Sequence, residues 1–311
     1  MMASEIISSV DSSSVRFEAD TTKNIQTIPA VTTCGYYKFI PRDTLYYHVV
    51  SNDSIVIDYG TPLLKNRSEL LRVICDSVGN NNHFYMNLSL MDCYTQEYES
   101  GSKDTAKHSS SEWLNRSVYI ELDSVGTRFQ IAYDDSTKLG FTPGGAFAPY
   151  LFFDFQKPCS DTGMSYNART EMDYLVENGL PCPFLRSAYL FTNHGSFDTL
   201  GFKTNRLEYV KTSQGSVIYG DGASKLRLTN IIAAGGILDI GTELRVPVHL
   251  FQTQEQKLTF HKVDESTIPG MHYSNSFFTL VNYREYKPAK TTDKAKQKKS
   301  RSKSKKKTRK K

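Results

Sequence analysis

The chain has no long apolar run. In 311 residues the longest, Ile231 to Leu238, is closed by Asp239 and is far short of the ~20 residues that cross a bilayer. The segment Met1-Met2-Ala3-Ser4-Glu5 carries no basic stretch followed by an apolar one, so the expectation is a protein made without a secretory signal. Cysteine is scarce: Cys34, Cys75, Cys93, Cys159 and Cys182 are odd in number and widely spaced, which excludes a disulfide scaffold. They form no C-x-x-C pair, and the seven histidines show no H-x₃-H spacing, so no metal and no cofactor are expected. Five buried small hydrophobes account for the cysteines. There is one tryptophan, Trp113, no internal repeat, and no G-x-S-x-G turn that would expose a nucleophilic serine. His194-Gly195-Ser196 with Asp198 is the nearest approach to a Ser-His-Asp set, and Gly220-Asp221-Gly222-Ala223-Ser224-Lys225 is too short for a phosphate loop. What remains is a soluble protein made inside the cell, with no membrane partner.

What the chain does contain is strand texture. From about Pro29, short apolar and aromatic runs alternate with Gly, Pro, Asn and Asp. Strand-length runs are Cys34 to Ile40, Thr44 to Val50, Ser54 to Tyr59, His83 to Tyr94, Val118 to Leu122, Arg128 to Tyr133 and Tyr150 to Phe155. They continue with Leu185 to Phe191, Leu207 to Lys211, Lys225 to Ile232, Glu243 to Phe251, Lys257 to Val263 and Phe277 to Tyr283. In His83 to Tyr94 the residues Phe84, Met86, Leu88 and Leu90 fall on one face. Pro41-Arg42-Asp43 and Ser51-Asn52-Asp53 are turn clusters. This spacing predicts an all-β fold, an antiparallel β-sandwich.

Two segments carry helical signals. Asn66-Arg67-Ser68-Glu69 resembles a capping box, and Leu70, Leu71, Val73, Ile74 and Val78 follow as a stripe ended by Gly79, predicting a helix over 67–78. A second is expected over 165–178, with Ala168, Met172, Leu175 and Val176 on one side and Gly179 and Pro181 after it. The polar stretch 100–111 reads as an exposed loop. The organisation is therefore a flexible arm over 1–28, a β body over 29–286 and a basic tail over 287–311. Four N-x-S sequons, at Asn52, Asn66, Asn87 and Asn115, read as turn, cap and strand residues. In the pairs Tyr36-Tyr37 and Tyr46-Tyr47, one ring on each face of a strand leaves one tyrosine pointing away from the body's core, a residue type that interfaces favour.

The charge is partitioned unevenly. Residues 287–311 hold fourteen Lys or Arg against one acid, Asp293, a net +13; residues 1–286 hold 24 bases against 32 acids, a net −8. The tail has almost nothing to bury and reads as disordered. Its terminal cations, Lys298, Lys299, Arg301, Lys303, Lys305, Lys306, Lys307, Arg309, Lys310 and Lys311, suit a polyphosphate, because each phosphate neutralised releases condensed counterions. No aromatic lies among them, so they hold phosphates without reading bases. The same letters satisfy a nuclear localisation signal or a solubilising tail, and Ser300, Ser302, Ser304 and Thr308 serve as small spacers. An extended tail of this length spans up to about 80 Å at ~3.3 Å per residue. One enzymatic arrangement is conceivable: Asp239 with Glu255 and Lys257 as a magnesium-dependent nuclease site.

Taken together, the Ser/Thr-rich arm, the strand series from Cys34 to Tyr283 and the cationic tail from Lys287 resemble virion structural proteins of the jelly-roll capsid kind. The resemblance covers most of the chain in texture, and it implies a capsid or minor, penton-type shell subunit that self-associates into a ring or shell with the tail on the packaged nucleic acid. Such a protein resides in the virion and in the host cytoplasm or nucleus. The tail lies at the C-terminus here, whereas many such proteins carry the basic segment at the N-terminus. The alternatives are a non-virion nucleic-acid chaperone or movement-type protein, and the nuclease above.

Overall fold

The computed structural model describes residues 37–79, 83–103, 105–108, 114–133, 151–156, 162–177, 180–219 and 226–284. All of them belong to one compact unit, Thr32–Lys311; a second unit, Met1–Val31, lies outside the described residues. Twelve strands form one antiparallel sheet. They are β1 (Thr44–Ile57), β2 (Leu63–Val78), β3 (Phe84–Glu99), β4 (Ala106–His108), β5 (Ser117–Leu122), β6 (Arg128–Tyr133), β7 (Ser165–Glu177), β8 (Leu180–Thr199), β9 (Phe202–Tyr219), β10 (Leu226–Gly241), β11 (Pro247–His261) and β12 (Thr267–Arg284). The order across the sheet is β6-β5-β3-β2-β1-β12-β11-β10-β9-β8-β7, with β4 pairing on β3. Two meanders, β1 to β6 and β7 to β12, are thus joined through the pairing of the first strand with the last.

The all-β expectation is met, and the strand order is that of a meander. A jelly roll divides its strands between two sheets with crossing connections; the described strands form one sheet without them. Both helices are corrected to strands. In β2, Leu71, Val73 and Cys75 are buried while Leu70, Arg72 and Ile74 are half-buried on the opposite face. Apolar residues stand on both faces of β2, Leu70 and Ile74 outside and Leu71 and Val73 inside, so they run together and mimic a helical stripe. Asn66, read as a cap, pairs with Asn52 of β1 and Gln96 of β3. Residues 165–177 pair with β8, and register shifts between Thr170 and Asp173 and between Asp173 and Leu175 break the two-residue alternation that would have marked a strand.

Other boundaries moved for local reasons. The runs 44–50 and 54–59 merge into β1, because Ser51 and Asp53, read as turn residues, point inward and are hydrogen-bonded there. Lys257 to Val263 likewise joins β11 as far as His261. Part of the 100–111 loop is β4. Within 34–40 and 150–155, the described residues 37–40 and 151–155 are not strand. The alternation in β3 holds, with Phe84, Met86, Leu88 and Leu90 all buried. Tyr47 is buried and Tyr46 faces outward under Arg284, 5.2 Å from guanidinium to ring.

The core centres on the two non-strand segments. Leu151, Phe152, Phe153 and Phe155 are all buried, as are Tyr37 and Phe39. Phe152 meets Tyr37 and Phe39 edge-on at 5.7 and 5.4 Å, and Phe39 meets Phe84 of β3 at 5.1 Å. On its other side Phe153 packs on Tyr209 of β9 at 4.7 Å and on Tyr189 and Phe191 of β8 at 6.0 Å each. One segment therefore ties the inner face of one meander to that of the other. The turn between β5 and β6 clamps it. Asp123 Oδ1 accepts from the backbone of Val125 and Thr127, both at 2.9 Å. Val125 O accepts from Phe155 N at 2.9 Å, and Ser124 O accepts from Tyr37 N at 2.6 Å. Gly126 sits in that turn at φ 87°, where a Cβ would lie 2.0 Å from the carbonyl oxygen of Phe153.

Candidate functional surfaces

The inner face changes character along the strands. Beyond the aromatic core it becomes polar: Ser51 and Asp53 of β1, Glu69 of β2, Gln252, Gln254 and Gln256 of β11 and His272, Ser274 and Ser276 of β12 are all buried. Register places them side by side, since Asp53 pairs with Ser274 and Ser274 with Gln254. Small Ser side chains leave room for their long neighbours. His272 Nε2 lies 2.9 Å from Asp53 Oδ1 and its Nδ1 lies 3.1 Å from Gln256 Oε1. Ser51 donates to Asp53 Oδ2 at 3.1 Å, and Tyr209 O–H donates to Gln252 at 2.6 Å. Arg67 lies 3.6 Å from Glu69. These bonds offset the cost of burying the band, while the Gln254 Nε2 amide within it has no hydrogen-bond partner among the described residues.

Burial opposes the ionisation of Asp53, but the hydrogen bond from His272, the charge of Arg67 and the hydroxyl of Ser274 outweigh it, so its carboxyl sits below the ordinary carboxylate range. A depressed folded value contributes stability that is present above the unfolded value near 4 and is lost as pH falls through the folded one. Asp53→Asn is expected to be less stable at pH 7 and to lose less of its urea midpoint than the wild type between about pH 5 and 2. An acid slope equal to that of the wild type would show that Asp53 is not the group responsible.

A second cluster, on the outer face, accounts for one proposed catalytic residue. Asp239 is fully buried; it accepts from Arg206 through both oxygens, at 2.7 and 2.8 Å, and from Thr199 at 2.9 Å. Arg206 stacks on Phe197, 4.2 Å to the ring centre. His249 lies 3.8 Å away, held below the ordinary imidazole value chiefly by burial. Glu255 pairs in register with Ala233, six residues along β10 from Asp239, or about 20 Å at ~3.3 Å per residue. Lys257 forms an exposed ion pair with Glu255 at 3.3 Å. The nuclease trio is therefore not assembled: its acid is spent on an arginine and its lysine on a neighbour. The Ser-His-Asp set fails in the same way, with His194 at 2.8 Å from Glu208 and Lys203 donating to Asp198 at 2.8 Å.

No group of three or more metal-ligating side chains exists among the described residues. Cys75 and Cys93 are buried free thiols. Burial, reinforced by Asp76 and Asp43, pushes Cys75 up to about 12, and Cys93 is raised chiefly by burial too, so neither is a nucleophile. Next to Cys75 a pocket of about 80 Å³ lies among Lys38, Asp43, Glu243 and Tyr283, with Tyr283 O–H donating to Asp43. That volume suits a few waters and is far below the size of a drug-sized ligand site. Among the described residues no helix is long and apolar enough to cross a membrane. All ten tail cations lie outside the described residues.

Sequence reasoning missed the polar inner band and an apolar outer surface on β8 to β12. Serines and glutamines on strand positions were the available signal for the first; for the second, it was the outward partners of buried residues in β9 and β10. No family model and no curated protein matches the chain. One solved structure, concerning lipid-protein interactions in lipovitellin, is similar to it at 12% identity and a TM-score of 0.46, over 82% of this chain and 27% of that one. The chain spans just over a quarter of that protein's length. A likeness of that size assigns neither fold nor ligand.

Proposed function

We propose that this chain is a virion structural protein, a capsid or minor, penton-type subunit, whose β body associates with copies of itself while its basic terminal segment holds the packaged nucleic acid. The observation that carries the reading is the partition of charge, +13 in residues 287–311 against −8 in the rest. The body repels the polyanion that attracts the tail, so the two tasks are separated along one chain. Support also comes from the all-β body, whose two meanders both pack on residues 151–156. Many copies in a shell make weak tail contacts strong by multivalency. In this reading the protein resides in the virion and passes through the host cytoplasm or nucleus.

The test is binding of the full chain to single-stranded and duplex nucleic acid as a function of salt. If about ten phosphates are neutralised, log K falls with log salt at a slope of roughly −7 for single strands and −9 for duplex. Replacing the ten cations from Lys298 to Lys311 by Gln is expected to abolish binding at physiological salt, whereas shuffling Lys and Arg among those positions changes little. Binding that survives the Gln replacement places the contact on the body and ends the proposal. A full chain that binds in this way but stays monomeric at high concentration is the non-virion chaperone or movement-type protein instead.

A further inference from the structure

Strand register fixes where the tail begins. β12 ends at Arg284, which pairs with Thr44 at the start of β1. Residues 285–311 therefore continue from the end of the sheet that holds the turns 40–43 and 241–246. These segments are bonded to one another. Lys38 N donates to Arg245 O at 3.2 Å, Arg42 N donates to Cys75 O at 2.6 Å, and Tyr283 O–H donates to Asp43. Lys38, Asp43, Glu243 and Tyr283 line one small pocket between them. Lys38, Arg245 and Arg284 thus stand around the root of the tail, the first and last exposed and Arg245 half-buried. Elsewhere Lys65, Lys203, Arg206 and Lys257 are closed by Glu97, Asp198, Asp239 and Glu255. Among the described residues no carboxylate closes Lys38, Arg245 or Arg284 in this way.

We infer that Lys38, Arg245 and Arg284 form a phosphate-binding collar at the root of the tail, through which nucleic acid touches the body; the inference rests on the nucleic-acid reading above. The start of the tail selects this partner. Its first cation, Lys287, lies three residues beyond Arg284, at most about 11 Å away along an extended chain. A duplex strand carries a phosphate every ~3.4 Å of its axis, so a backbone gripped by Lys287 has further phosphates within reach of Arg284. The acids of this end limit the contact. Asp43 is buried and bonded to Tyr283, whereas Glu243 and Asp76 are exposed. They leave no broad basic field, so the collar grips single phosphates beside the tail and is too weak to hold nucleic acid without it. Its effect is orientation. The end of the sheet with the turns 40–43 and 241–246 faces the polyanion, and the end with the turns 58–62 and 262–266 faces away.

The test is titration of the full chain with a single-stranded oligothymidylate of about 30 nucleotides at several salt concentrations. The triple variant Lys38→Gln, Arg245→Gln, Arg284→Gln is expected to flatten the slope of log K against log salt by about 2, at ~0.7 per contact, and to weaken binding at least about tenfold at physiological salt. The control is Lys103→Gln, Lys107→Gln, Lys262→Gln, which removes as many exposed cations from the opposite end. It is expected to bind within about twofold of the wild type, and unaltered melting temperatures show that both variants fold. Arg245→Lys with Arg284→Lys keeps the charge and is expected to keep the slope, which a merely structural role for the guanidinium groups would not allow. If the collar variant and the control share one slope, the collar is no contact, and the inference falls while the tail reading stands. If the wild-type chain binds no nucleic acid, both fall.

Discussion

Phe153→Ala is expected to cost about 3–5 kcal/mol, the range for removing a large buried aromatic that leaves a cavity behind. Phe153 lies between Phe155 and three rings on β8 and β9, and its segment also reaches Tyr37 and Phe39 on the other limb. Such a loss corresponds to a fall of roughly 10 °C in the melting temperature of a body of this size. Phe129→Ala is the comparison: that ring is exposed and touches His83 face-on at 4.3 Å, so its loss should stay near 1 kcal/mol or below. Calorimetry on the two variants side by side decides the matter. If Phe153→Ala melts within about 2 °C of the wild type, the segment 151–156 is a surface strap and not the joint between the meanders.

Gly126→Ala should be nearly as damaging, through the backbone alone. At φ 87° an L-residue is strained, and the added Cβ meets the Phe153 carbonyl oxygen at 2.0 Å, with its carbonyl carbon at 2.9 Å. Neither atom belongs to a side chain that could swing away. Gly201, at φ 81° with nothing within 4 Å of its added Cβ, isolates the conformational part. Gly201→Ala is expected to cost about 1 kcal/mol, and Gly126→Ala at least about 2 kcal/mol more, because the 151–156 segment must move. Unfolding free energies from urea titration that agree within about 0.5 kcal/mol would show that the 123–127 turn does not clamp the segment.

The sequence disclosed the class of fold because alternation is a local property. Phe84, Met86, Leu88 and Leu90 announce β3 without reference to any other strand. What it concealed depends on partners. The helical reading of 67–78 failed because β2, paired with β1 and β3, carries apolar residues on both faces, so they run together in sequence. Ser51-Asn52-Asp53 reads as a turn until Asp53 is seen to meet His272, 219 residues away. The candidate sites show the same division. The charge split is a sum over letters and was legible. Whether Asp239 is free for chemistry turns on Arg206 in another strand, which no spacing rule reveals.

The place of β1 in the sheet also decides when, during synthesis, the sheet can close around it. Its partner on one side is β2, the next strand along; on the other it is β12, with Asp43 and Tyr283 bonded across 240 residues. A nascent chain leaves the ribosome at about 5–20 residues per second, so β1 waits on the order of ten seconds or more before its second neighbour exists. During that interval the first meander presents a long unpaired edge, the kind that invites pairing with another chain. Its edge carries Asn52 and Asp53 at mid-strand, and a buried-type Asp left in water resists such pairing. The same residues that tie β1 to β12 in the finished protein thus guard β1 while it is alone.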